Sequence, residues 1–260
     1  MFGRRCSIIG AVHVPALPGS AEYSGSMETV LGEALFDALT YKEEGVDAII
    51  LENMHDVPYI RGRVDPETTA AMTVVANAIK YETMLPIGVQ LLAGANIEAL
   101  GVALACGLDF LRVEGFVFAH VGDEGIHESC AAELVRRRKY LQAEQIKIFA
   151  DIKKKHSSHA ITSDVSLEDT AKAAEFFCAD AVVVSGSFTG EPPAVEEVKA
   201  VRQSVRCPVI VGSGVTPDNI RHFVPHADAV IVGTALKVDG RWQNAVDGDR
   251  VARLVEACAI

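Results

Sequence analysis

Short apolar runs rich in Val and Ile recur along the whole chain, at 8–12, 48–51, 87–91, 110–113, 146–150, 181–184, 209–211 and 229–232. They lack the alternation of a half-exposed strand and suit strands covered on both faces, as in a parallel sheet. Between them, apolar positions repeat at helical spacing over 29–42, 67–83, 97–105, 128–143, 167–177, 194–205, 218–223 and 249–258. Eight strands and eight helices in strict alternation predict a single (β/α)8 TIM barrel of parallel strands over residues 1–260. No Pro-, Ser- or Gly-rich linker divides the chain. An open doubly wound sheet is the alternative architecture for the same alternation.

Connector lengths point the same way. Links from helix to strand are tight, as in Gly45-Val46-Asp47, Gly107-Leu108-Asp109 and Ala179-Asp180. Links from strand to helix are long at 13–26, 52–66, 114–127 and 151–166. Long loops in a compact domain are usually functional, and here they gather at the C-terminal end of the strands, where barrels place their sites.

Composition narrows the classes of function. Of 260 residues, 49% are hydrophobic and 23% charged, enough for a sizeable core and too apolar for a disordered chain. No apolar run approaches the ~18–20 residues of a membrane span, so integral insertion is excluded. The run 8–14 contains His13, meets Pro15 and is followed by no small-residue cleavage site, so no signal peptide is predicted. Net charge is −11 and the longest basic run is Lys153-Lys154-Lys155, which argues against nucleic acid as a partner. The six cysteines form no C-x-x-C and no zinc spacing; they read as small buried hydrophobes in a reducing cytoplasm.

Two glycine turns carry the first chemical signal. After the seventh strand comes Gly212-Ser213-Gly214-Val215-Thr216-Pro217; after the eighth comes Gly233-Thr234. Glycine brings backbone N–H groups close to a ligand, and Thr216 with Pro217 predicts a helix start whose free amides would favour an anion. Phosphate sites in barrels are frequently built from these two loops. Ser185 and Gly186, after the sixth strand, join Gly212, Ser213, Gly214, Gly233 and Thr234 as phosphate-binding candidates. The expected ligand is a small phosphorylated metabolite.

A ring of ionisable residues marks the same rim. His13 ends the first strand, Glu52 the second, Arg112 and Glu114 the fourth, and Asp151, Lys153, Lys155 and His156 the fifth. Side chains two apart on a strand share a face, so Arg112 and Glu114 should point together, as should Asp151 and Lys153. Such a ring offers carboxylate, imidazole and ammonium groups for proton transfer. Glu52, Glu114 and Asp151 could instead hold one Mg²⁺ against a phosphate ester. Plainer readings make Arg112–Glu114 an internal ion pair, Lys153–Lys155 a solvated run, and His120, His127, His222 and His226 surface or loop residues.

Several clusters carry a resemblance: Gly10-Ala11-Val12-His13, Glu52-Asn53 with Asp56-Val57-Pro58, Ala150-Asp151 with Lys155-His156, Thr189-Gly190, and Gly212-Ser213-Gly214. In these the chain resembles the BtpA/SgcQ family of barrel proteins, across almost its entire length. The resemblance implies a relative of the ribulose-phosphate-binding barrels. For function it implies either a cytoplasmic enzyme of acid/base or hydrolytic chemistry, or a non-catalytic assembly factor for photosystem I. The chain departs from the thylakoid members after the third strand, at Gln90-Leu91-Leu92-Ala93-Gly94-Ala95, and after the fourth, where Glu114 stands in place of an Asn. Self-association into a homo-oligomer is expected of a barrel of this size.

Overall fold

The strand runs close into a barrel because each is buried on both faces. In the computed structural model, which describes residues 6–186 and 188–258, the strands are β1 (Ser7–His13), β2 (Ala48–Glu52), β3 (Ile87–Gln90), β4 (Phe110–Val113), β5 (His120–Gly122), β6 (Gly125–His127), β7 (Lys147–Ile152), β8 (Ser157–Ser158), β9 (Ala181–Val184), β10 (Val209–Val211) and β11 (Ala229–Val232). Residues 1–5, where the signal-peptide reading began, lie outside the described residues. Eight of the strands form the closed parallel barrel, in the order β1-β11-β10-β9-β7-β4-β3-β2. The helices between them are α1 (Met27–Glu43), α2 (Pro66–Thr83), α3 (Asn96–Cys106), α4 (Ala131–Tyr140), α5 (Leu167–Phe176), α6 (Val195–Ser204), α7 (Ile220–Phe223) and α8 (Gly248–Cys258). The fold is the (β/α)8 barrel, not the open sheet. Among the described residues no helix is long and apolar enough to cross a membrane.

Two apolar layers follow from the alternation within each strand. Outward residues such as Ile8, Ile49, Val89 and Val182 pack against the helices, while Ile9, Ile50, Phe110, Phe149, Val183, Ile210 and Ile231 fill the barrel. Phe110 and Phe149 stack there with centroids 4.6 Å apart. A Cβ at Gly88 would lie 2.1 Å from the Phe110 ring, so that strand carries a glycine where the ring needs room.

The tight links at the opposite end share one device. Asp47, Asp109, Asp180 and Asp228 each precede a strand, and each carboxylate accepts an amide near the start of the neighbouring strand, the first in β3 and β10 and the second in β1 and β7: Ile87, Val209, Ile8 and Ile148, at 2.8, 2.8, 2.8 and 2.9 Å. These bonds satisfy amides where the ladder opens.

Four expectations are corrected. The helix expected over 128–143 is shorter at both ends: the loop before it folds into the β5–β6 hairpin, and α4 runs only over Ala131–Tyr140, with the Ala131 amide donating to the Phe116 carbonyl. Strand β8 pairs antiparallel with β5, giving a small sheet that none of the apolar runs announced. The helix expected at Thr216 begins at Ile220, because Thr216–Asn219 forms a turn in which the Asn219 side chain accepts the Thr216 amide. Finally, Cys178 is exposed rather than buried, in a left-handed turn after α5; all six cysteines are free.

Candidate functional site

Strand ends bring the ionisable ring together as the alternation requires. His13 pairs in register with Glu52, and Glu52 with Gln90, so these three form one tier at the barrel mouth. Arg112 reaches across from β4. Its Nε donates to Asp151 Oδ2 at 2.9 Å, its Nη2 to Asp151 Oδ1 at 3.1 Å, and its Nη1 to Glu52 Oε1 at 3.2 Å. All three side chains are almost wholly buried. Burial opposes the charge on Arg112, but Asp151 and Glu52 outweigh it and hold the guanidinium protonated.

The expected Arg112–Glu114 contact is not made. Glu114 is paired instead with Lys154, Oε2 to Nζ 3.5 Å, and that oxygen accepts no hydrogen bond among the described residues. Burial, against the pull of Lys154, pushes the Glu114 carboxyl up to about 7. His13 Nδ1 lies 2.9 Å from the Trp242 carbonyl, which can only accept. The proton therefore sits on Nδ1, and Nε2 presents a lone pair. Burial, with Lys237 nearby, keeps the ring well below its ordinary pKa, so it is neutral.

The glycine turns stand side by side, since β10 and β11 are neighbours. Gly212, Ser213, Gly214 and Val215 form one wall of a cavity of about 450 Å³, and Gly233, Thr234 and Ala235 form the adjoining one. His13, Glu52, Arg112 and Lys155 line the rest of its polar surface. The Gly212 amide is engaged, donating to the Val184 carbonyl at 2.8 Å. No acceptor among the described residues takes the amides of Ser213, Gly214, Val215, Gly233, Thr234 or Ala235. Gly233 is required by space: a Cβ there would meet His13 Nε2 at 2.6 Å. Gly214 is required twice, by its φ of +69° and by the Pro192 nitrogen 2.0 Å from a built Cβ.

Other predicted residues fall elsewhere. The Ser213 hydroxyl bridges two loops, accepting the Gly186 amide at 3.0 Å and donating to the Glu191 carbonyl at 2.9 Å. Gly186 is thereby engaged too. Ser185 donates toward Asp151 Oδ1 at 3.4 Å and, with Gly186, borders a separate outer cavity of about 880 Å³. Both oxygens of Asp151 are taken by Arg112, and Asp151 borders neither the 450 Å³ cavity nor its neighbour. Its part is to position Arg112.

Lys153 does not share a face with Asp151. The chain leaves β7 at Ile152 and takes a left-handed φ of 50° at Lys153, whose Nζ then donates to the Val165 carbonyl at 2.6 Å. That same turn sends Lys154 and Lys155 into the mouth in its place. His156 Nε2 accepts the Thr189 amide at 3.1 Å and lies 2.8 Å from its hydroxyl. A third cavity, of about 300 Å³, adjoins the first and is lined by Glu52, Arg112, Glu114, Lys155, His156 and Trp242 among others.

The small sheet roofs this region. His120 and His127 are buried beneath it, not on the surface, with rings stacked 4.9 Å apart. Burial, then the neighbouring His127, lowers His120 to about 4. Glu124, from the hairpin turn, meets His127 Nε2 at 3.3 Å and Lys154 Nζ at 3.4 Å. Sequence reasoning named Lys155 at the strand end, took Lys154 only as part of a basic run, and passed over Glu124 and Trp242. The available signal was the placement of the lysine run straight after a strand, at the functional rim.

The model of the BtpA family matches residues 4–259. The chain belongs to the BtpA family. Relatives include an uncharacterized mitochondrial protein of Caenorhabditis elegans, 43% identical over 96% of this chain and 91% of its own length. Another is the photosystem I biogenesis protein BtpA of Synechocystis, 34% identical over 97% of this chain and 88% of its own. Among solved structures, the thiamine phosphate pyrophosphorylase of Pyrococcus furiosus is similar with a TM-score of 0.61 at 14% identity, covering 99% of this chain and 97% of that one. The orotidine 5'-phosphate decarboxylase of Pyrococcus horikoshii is similar with a TM-score of 0.61 at 14% identity, covering 97% and 99%. At that identity the likeness is one of fold.

In this BtpA-family chain the carboxylates do not suit the Mg²⁺ considered above. The Arg112 guanidinium stands between Glu52 and Asp151, and Glu114 faces an ammonium. Among the described residues no group of three or more His, Cys, Asp or Glu is arranged to hold a metal ion.

Proposed function

We propose that this protein is an enzyme acting on a small phosphorylated metabolite by acid/base chemistry at the C-terminal rim of the barrel. The observation that carries the reading is the 450 Å³ cavity itself, with unengaged amides of two adjacent glycine turns on one side and Arg112 and Lys155 on the other. Backbone amides and fixed cations together bind a phosphate dianion without side-chain rearrangement. From that anchor the guest's body extends toward the 300 Å³ cavity, past Glu52 and Glu114. A carboxyl held near 7 exchanges a proton with substrate at neutral pH, and Arg112 stabilises negative charge that develops beside it. His13, with a free Nε2 on the phosphate side, is the further proton acceptor. Six free cysteines suit a reducing compartment such as the cytoplasm.

Thermal stability in the presence of inorganic phosphate and a panel of sugar phosphates and nucleoside phosphates tests the reading. A member present at a hundred times its Kd adds ~2.7 kcal/mol, a clear rise in Tm. No rise with any of them overturns it and favours the assembly-factor role that one relative's name suggests.

A further inference from the structure

Of the cations at the barrel mouth, Arg112 is held by Asp151 and Glu52, Lys154 by Glu114 and Glu124, and Lys237 by Asp37. Lys155 is different. Among the described residues its Nζ has no carboxylate within 4.0 Å and no hydrogen-bond acceptor. It borders the 450, 300 and 880 Å³ cavities alike, so it stands where they meet. A partly buried ammonium with no counter-ion in contact is disfavoured, and shedding the proton relieves that cost. Burial and then Arg112 lower its proton affinity; Glu52, Asp151 and Glu114 act against them from farther off. Glu114 lines the 300 Å³ cavity with it, and its Oε2, in ion-pair distance of Lys154, accepts no hydrogen bond among the described residues.

We propose that Lys155 is a nucleophile that forms an imine with the carbonyl carbon of a phosphorylated aldehyde or ketone, with Glu114 relaying the protons. The proposal rests on the phosphate reading above and names the class of substrate for it. The ammonium first gives a proton, through a water in the cavity that both line, to the Glu114 carboxylate. The neutral amine then attacks the carbonyl carbon; the C–N bond forms, the C=O π pair moves onto oxygen, and the nitrogen's proton passes to that oxygen. Glu114 next protonates the hydroxyl, the C–O bond breaks and water leaves as the nitrogen lone pair closes the C=N bond. The sum is ammonium plus carbonyl giving iminium plus water, with Glu114 returned to its carboxylate and no oxidant or reductant consumed. Lys154 and Lys237 are each in contact with a carboxylate, so their Nζ atoms are engaged where that of Lys155 is not.

Reductive trapping tests the assignment. The full chain is incubated with cyanoborohydride and, separately, glyceraldehyde 3-phosphate, dihydroxyacetone phosphate and ribose 5-phosphate, then analysed by intact mass and peptide mapping. The expected result is one adduct per chain on the peptide carrying Lys155, suppressed by excess inorganic phosphate and absent in Lys155→Arg. Glu114→Gln slows trapping by roughly 100-fold and removes its pH dependence near neutrality. Stabilisation by these phosphates without an adduct on Lys155 overturns the imine and leaves the phosphate reading standing. Adducts spread evenly over surface lysines, insensitive to phosphate, also overturn it. Neither stabilisation nor adduct removes both readings. Because the adduct is mapped in the unaltered protein, the test decides even where a variant folds poorly.

Discussion

Arg112 and Asp151 meet through two parallel hydrogen bonds, Nε to Oδ2 at 2.9 Å and Nη2 to Oδ1 at 3.1 Å, in a place almost closed to solvent. The pair fixes the plane of the guanidinium, leaving Nη1 for Glu52. It makes the mouth of the barrel a preorganised charge array and not a set of independent side chains.

Removing one partner of this array leaves a buried charge uncompensated. Arg112→Met should therefore lower stability by ~3–5 kcal/mol, while Asp151→Asn, which keeps the shape, should cost less. Urea unfolding of the two variants checks the ranking. Equal, negligible losses would mean that water reaches the pair.

Glu114 gives the protein a pH signature. The folded state holds the carboxyl near 7, against an ordinary value of 4.5, so between those values it binds a proton that the unfolded chain has released. Stability from this group is complete below pH 4.5 and is lost as pH rises through 7. His120 acts the other way. Its folded value is about 4, so its contribution is present above 6.5 and is lost as pH falls through 4. The difference in unfolding free energy between the native protein and Glu114→Gln isolates the first effect. It should decline with pH between 4.5 and 7, by up to about 1.4 kcal/mol per unit. A flat difference would show that Glu114 titrates as an ordinary carboxylate.

Gly233→Ala should strike the site chiefly, with a lesser push on Ala11 of β1 at 3.3 Å. The added Cβ would fall 2.6 Å from His13 Nε2, so the imidazole must shift, at a cost of ~1–3 kcal/mol for overpacking. Phosphate affinity should fall with it, as read by titration calorimetry. Gly214→Ala should cost at least as much, since the Glu191–Pro192 backbone and a left-handed φ both resist it.

The aspartates at the closed end of the barrel should behave as stability residues alone. Asp228→Ala leaves the Val209 amide without its acceptor and removes the Arg202 contact, a loss of ~1–3 kcal/mol in denaturant unfolding. Ligand-induced stabilisation should be unchanged, because this end is remote from the mouth.

The barrel was legible because its strands are buried twice, so Val and Ile fill both phases of the pleat and no alternation misleads. His13, Glu52 and Arg112 were legible for the complementary reason: a polar residue interrupting such a run must face something polar. Lys153 was misplaced because period-two reasoning holds only while the backbone stays extended, and the strand ends at Ile152. Lys155 was legible as an ionisable residue at a strand end, but that left-handed step, which local residue type does not announce, decides that it and not Lys153 enters the mouth. The hairpin of β5 and β6 escaped notice because three-residue strands carry too little periodicity; only Gly122 and Gly125, bracketing Asp123 and Glu124, marked it. Ser213 sits where a phosphate contact is expected but serves the loop beneath, a matter of tertiary neighbours that no single stretch encodes.

Strands β5 and β8 come from two different excursions of the chain, after β4 and after β7, yet Val121 pairs with Ser158 and Gly122 with Ser157. Neither excursion can swing aside alone without unzipping the other. The cover above the mouth is therefore joined by main-chain bonding, which no exchange of a single side chain removes.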